Sequence, residues 1–86
     1  LYGPYYFRFT VLDQPGVLAT IAGILSRHDI SIESVIQKGR KKTGAVPLVL
    51  VTHSARESAV SAALDEISRL EAVTAPVVKI RILEED

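Results

Sequence analysis

The chain contains no cysteine, no methionine, no tryptophan and no asparagine. Without thiols it forms no disulfide, builds no zinc finger and uses no cysteine nucleophile. Without methionine it does not begin on an initiator, so Leu1 is expected to be an interior position of a longer protein. No apolar run approaches the roughly 20 residues that a membrane helix requires. The longest, Ala45–Val51, is strand-sized and contains Pro47. The aromatic N-terminus lacks the basic region and apolar stretch of a signal peptide. An excess of either charge is also missing. The formal net charge of +0 argues against nucleic acid or an acidic membrane as the main partner.

What is present suits a packed core: 48% of the 86 residues are hydrophobic and 23% charged, far from the composition of a disordered chain. The length fits one domain, residues 1–86. A core of this size is only marginally stabilised alone, which makes support from a partner chain plausible.

Along the chain, Tyr5, Phe7, Phe9 and Val11 alternate with Arg8 and Thr10 over Tyr5–Leu12, the period of a strand. After Gly16, apolar residues fall at Val17, Leu18, Ile21, Ala22, Ile24 and Leu25, so the spacing predicts a helix over Val17–His28. A second strand is expected at Ile30–Lys38, with Ile30, Ile32, Ser34 and Ile36 on one side and Ser31, Glu33, Val35 and Gln37 on the other. The polar, glycine-bounded connector Gly39–Gly44 then reads as a hairpin leading to Ala45–Thr52. That third strand is apolar on both faces, as a covered central strand would be, although Pro47 predicts that pairing starts or bulges there. Ser54-Ala55-Arg56-Glu57 matches a capping box opening a helix whose stripe is Val60, Ala63, Leu64, Ile67 and Leu70. Val77–Leu83 supplies a last strand, and Glu84-Glu85-Asp86 a solvated tail.

The order β-α-β-β-α-β, with right-handed crossovers and a hairpin between strands two and three, specifies an α+β, ferredoxin-like sandwich. Its antiparallel sheet has order 4-1-3-2 and both helices on one face. Strand two is then an exposed edge that invites pairing with a copy of itself. The helix-free face of strand three is apolar and expected to be covered.

The junction Asp13-Gln14-Pro15-Gly16-Val17-Leu18 carries the chemistry. Asp13 or Gln14 is placed to cap the helix, Pro15 tolerates its first turn, and Gly16 permits close approach of a ligand or chain. An ordinary capped helix start is one reading. The other is a site for a zwitterion, with helix N–H groups toward its carboxylate and Asp13 toward its ammonium. Helix-terminus attraction of about 0.3–1 kcal/mol and charged hydrogen bonds of about 1.5–3 each correspond to micromolar-to-millimolar binding. Lys38, Arg40, Lys41 and Lys42 read as a solvated hairpin tip rather than a nucleic-acid footprint. Strand three lacks the aromatics that an RNA-binding sheet displays. His28 is expected at a helix end and His53 where strand three turns toward the second helix; without Cys or a His-x-x-x-His spacing, no metal site is expected. An acylphosphatase-like enzyme of this fold would use an Arg and an Asn, and Asn is absent. No nucleophile–base pair or Gly-rich phosphate loop appears, so no catalytic residue is assigned.

The stretch from Phe9 to Ala19, the later Ile30-Ser31-Ile32 and the element order together resemble an ACT domain, a regulatory amino-acid-binding module. Ser31–Gly39, Val46-Pro47 and Thr52–Glu57 resemble the C-terminal regulatory segment of homoserine dehydrogenases. The resemblance implies side-by-side dimerisation through the second strand, with an effector amino acid held between Asp13, Gln14, Gly16, Val17 and Leu18 of one chain and Ser31 and Ile32 of its partner. Many effector-binding members carry Asn near position 31, where this chain has Ser31. A module that only dimerises is therefore the alternative. The resemblance further implies a cytoplasmic parent enzyme, with threonine as effector. NAD(P) is expected in the parent's catalytic domain and no cofactor in this fragment.

Overall fold

The computed structural model describes residues 1–37 and 44–84. The chain runs β1 (Tyr2–Gly3), β2 (Tyr5–Leu12), α1 (Val17–Arg27), β3 (Ile32–Gln37), β4 (Ala45–Thr52), β5 (Ala55–Arg56), α2 (Glu57–Ser68) and β6 (Val78–Arg81). The long strands form an antiparallel sheet of order β3-β4-β2-β6, the anticipated 4-1-3-2 read from the other edge. The tiny strands β1 and β5, which the pattern did not announce, pair separately.

Period-two burial builds the core. Tyr5, Phe7, Phe9 and Val11 of β2 and Val46, Leu48 and Leu50 of β4 are buried on one face. Ile21, Ile24 and Leu25 of α1 and Val60, Ala63 and Ile67 of α2 meet them in one hydrophobic cluster, so both helices cover the same face. Burying each large side chain contributes about 1.5–3 kcal/mol, which makes this cluster the main source of stability. Thr52 is the exception on that face. It is fully buried, and its Oγ1 accepts the Tyr5 N–H at 3.0 Å.

Four local expectations are corrected. Ser54 opens no capping box: Ala55 and Arg56 pair with Tyr2 and Gly3, α2 starts at Glu57, and the Glu57 N–H donates to the Leu1 carbonyl at 2.8 Å. Strand pairing of residues 55–56 has displaced the helical first turn that a box requires. Next, β2–β4 pairing runs unbroken past Pro47, opposite Thr10, while the described β3–β4 pairing begins at Leu48. A strand residue directs its N–H to one neighbour only, so a proline there forfeits one bond without forcing a bulge.

The bulge lies instead in β3, which is Ile32–Gln37 rather than Ile30–Lys38. Ile32 pairs with Thr52 and Ser34 with the adjacent Val51, leaving Glu33 as an extra residue. The expected alternation is thereby broken. Ile32 and Val35 share the helix-side face with Thr52 and Leu50, while Ser34 and Ile36 lie on the other face beside Val51 and Val49. Finally, β6 is shorter than expected, and its Val78 and Ile80 sit on the helix-free face opposite Arg8 and Tyr6. The connector at 38–43 and residues 85–86 lie outside the described residues. No helix among the described residues is long and apolar enough to cross a membrane.

Candidate functional site

At Leu12 the sheet ends and the chain turns into α1. The N-cap is Gly16, not Asp13 or Gln14, and its φ of 86° is a left-handed conformation that side chains with a Cβ adopt at a cost. Pro15 accordingly stands in the turn before the helix rather than in its first turn. The Val17 N–H reaches the Gln14 carbonyl at 3.5 Å, and the Gly16 carbonyl accepts both the Thr20 N–H and the Thr20 hydroxyl. The helix's own ladder leaves the Leu18 and Ala19 N–H groups unused, so the positive end of α1 faces outward.

The corner is open. Gln14, Pro15 and Gly16 are exposed, Asp13, Val17 and Leu18 are half-buried, and nothing lies within 4 Å of where a Gly16 Cβ would stand. Val17 and Leu18 pack their inner sides against the core, which fixes the turn. A depression of about 260 Å³ lies between this turn and Leu70, Glu71 and Ala72. Ala72 is anchored because its carbonyl accepts the Leu12 N–H at 2.8 Å. Leu70 belongs to the apolar stripe of the second helix in sequence, but nothing in the pattern places it, Glu71 or Ala72 at this turn; only the return of the chain from α2 brings them here.

Ser31 and Ile32 stand elsewhere. Ile32 pairs with Thr52 at one end of β4, whereas Leu12 pairs with Ala45 at the other. Seven strand steps of about 3.4 Å separate those ends, about 24 Å. One chain therefore brings Asp13, Gln14, Gly16, Val17 and Leu18 together and leaves Ser31 and Ile32 far from them. The Ser31 carbonyl accepts the His53 N–H at 2.9 Å, and the His53 Nδ1 lies 3.7 Å from the Glu33 carboxylate. His53 thus sits beyond the end of β4, as expected, and holds the start of β3 from behind. A further hollow of about 450 Å³, lined by Tyr2, Arg27, His28, Asp29, Ser54 and Arg56, lies near the C-terminal end of α1. It touches none of the sequence-assigned residues.

His28 is the C-cap of α1, as expected. Its Nε2 lies 3.1 Å from Glu66 of α2, and the Arg27 guanidinium lies 2.6 Å from the same carboxylate. Hydrogen bonds from Arg27 first, then His28, hold the Glu66 carboxyl below its ordinary pKa. Among the described residues, no His, Cys, Asp or Glu cluster could hold a metal ion.

Comparison with known proteins matches residues 5–72 to the ACT domain family model. The homoserine dehydrogenase of Pseudomonas aeruginosa is 46% identical over 79 residues, which is 91% of this chain and 18% of that protein. The crystal structure of a homoserine dehydrogenase from Thiobacillus denitrificans superposes with a TM-score of 0.84 at 38% identity, covering 94% of this chain and 17% of that one. The ACT domain from the GTP pyrophosphokinase of Chlorobium tepidum superposes with a TM-score of 0.71 over 93% of this chain and all of its own, and at 18% identity it shares the fold alone. The chain thus spans less than a fifth of the length of these two dehydrogenases.

Proposed function

The chain belongs to the ACT domain family, and from that premise we propose that it is the regulatory part of a homoserine dehydrogenase. In this reading it senses an amino acid, threonine in the first instance, at the interface of two copies. It carries no reaction itself; NAD(P) and the chemistry belong to the parent's catalytic part, in the cytoplasm.

One observation carries the reading. The outward-facing start of α1 and the Ser31–Ile32 segment lie at opposite ends of the sheet, and β3 is an edge strand. Antiparallel pairing of two β3 edges reverses one copy relative to the other and carries the start of its β3 toward the Asp13–Gly16 turn. The site is then completed only by the second copy. The exposed helix N-terminus receives the effector's carboxylate, Asp13 faces its ammonium, and the partner's Ser31 adds a hydroxyl. Val17, Leu18 and the partner's Ile32 border its side chain. A ligand bridging two chains favours one arrangement of them and so biases whatever is attached, by about 1–3 kcal/mol for ordinary allosteric coupling.

Titration calorimetry of the 86-residue chain with threonine, alongside sedimentation, tests this. Heat of binding in the micromolar-to-millimolar range by a dimer is expected. A dimer that binds no amino acid supports a purely structural dimerisation module instead, and a monomer at high concentration removes both readings.

A further inference from the structure

The face of the sheet opposite the helices is apolar in register, not merely in composition. Two lateral rows cross it: Ser34, Val51, Tyr6 and Ile80, then Ile36, Val49, Arg8 and Val78. Ile36 is 48% exposed, Val78 44% and Ile80 53%. A depression of about 330 Å³ opens among Tyr6, Arg8, Ile36, Pro47 and Val49. Contiguous apolar surface of this kind marks an interaction site.

Arg8 decides what fits. It stands on a central strand between Val49 and Val78, is exposed, and its side chain forms no hydrogen bond or ion pair among the described residues. Any cover removes water from its guanidinium and must replace that water with an acceptor. A second copy stacked face to face over the middle of the sheet brings two Arg8 side chains together, and like charges so placed are repelled. A stack displaced far enough to separate them leaves the β3 or β6 side of the face bare. The dehydrogenases of Pseudomonas aeruginosa and Thiobacillus denitrificans, by contrast, have more than four-fifths of their length outside the matched segment. A body joined by its own chain acts at an effective concentration of about millimolar.

We propose that this face docks on the catalytic body of the same polypeptide, through an apolar patch carrying one carboxylate that meets Arg8. The proposal rests on the reading of the chain as the regulatory part of a longer enzyme. Docking of this face gives the domain a second contact with the catalytic body besides the covalent connection, through which a ligand-induced change in chain pairing is passed on.

The test places a single thiol on the face by Ile80→Cys, in a chain that has no cysteine of its own. Its alkylation rate is followed by peptide mass in the full-length polypeptide and in the 86-residue chain. The expected result is alkylation at least tenfold slower in the full-length protein than in the short chain, with the protection abolished by Arg8→Glu. Equal rates in the two forms overturn the proposal. Protection in the short chain that rises with its concentration also overturns it, by identifying a second copy as the occupant. Protection that survives Arg8→Glu overturns the carboxylate contact. Threonine calorimetry on Arg8→Glu is expected to match the unsubstituted chain, because Arg8 lies on the far face of the sheet. Loss of the sensor reading and loss of the docking reading are thereby separated.

Discussion

The Glu66 carboxylate lies 2.6 Å from the Arg27 guanidinium, tying α2 to the last turn of α1. With the His28 imidazole at 3.1 Å, the pair lowers the Glu66 pKa. The sign follows directly. A carboxylate whose folded pKa is depressed adds stability that is fully present above its unfolded pKa, about 4.3, and is lost as pH falls through the folded value. Thermal unfolding of the wild type and Glu66→Gln, followed from pH 7 to pH 3, is expected to show the wild type more stable at neutrality. The two curves should converge below about pH 4. A constant gap across that range would show that the ion pairs do not titrate with folding.

Thr52 offers a sharper stability test. Its hydroxyl accepts the buried N–H of Tyr5 on the core face of the sheet. Thr52→Val keeps the shape and leaves that N–H unmatched, for which a loss of about 1–3 kcal/mol is expected in denaturant unfolding. A change below a few tenths would mean that water reaches the amide.

Gly16 should be intolerant for a backbone reason alone. Nothing crowds its missing Cβ, but its φ is 86°. Gly16→Ala is expected to lower stability by about 1–2 kcal/mol, the cost of a left-handed residue with a Cβ. Threonine affinity should fall with it, because the helix start moves. Unfolding and calorimetry on one sample separate the two effects, and unchanged binding would detach the turn from the site.

Asp13→Ala is expected to weaken threonine binding about tenfold or more, the worth of one charge-assisted hydrogen bond. The dimer should persist in sedimentation. Equal affinity in wild type and variant would remove Asp13 from the ammonium position.

Val35 is 40% exposed on the edge strand β3. Val35→Lys places a charge where two edges would meet and is expected to turn the dimer into a monomer with little change in unfolding midpoint. A persistent dimer would locate the interface elsewhere.

Much of the architecture was written in local pattern. Tyr5, Phe7, Phe9 and Val11 alternate cleanly, and the pattern gives Tyr5–Leu12 and Ala45–Thr52 the same bounds as the structure. What escaped was set by partners distant in sequence. The Ser54–Glu57 signature was locally sound but yielded to pairing with Tyr2 and Gly3. The faces of Val35 and Ile36 depended on a bulge that composition does not reveal. The cap at Gly16 prevailed over Asp13 and Gln14 because the turn demanded a positive φ. Near the candidate site, the order of the Asp13–Leu18 turn was legible, whereas Leu70, Glu71 and Ala72 came close only through tertiary return of the chain.

The extra residue at Glu33 divides the labour of β3. In the proposed pairing of two such edges, the regular ladder among the described residues is Ser34–Gln37, and a two-fold axis would pass between Val35 and Ile36. The first stretch of the strand is excused from zipping the copies together. In that arrangement it would form a free lip at each end of the joined sheet, available to close on a guest while the seam behind it stays shut.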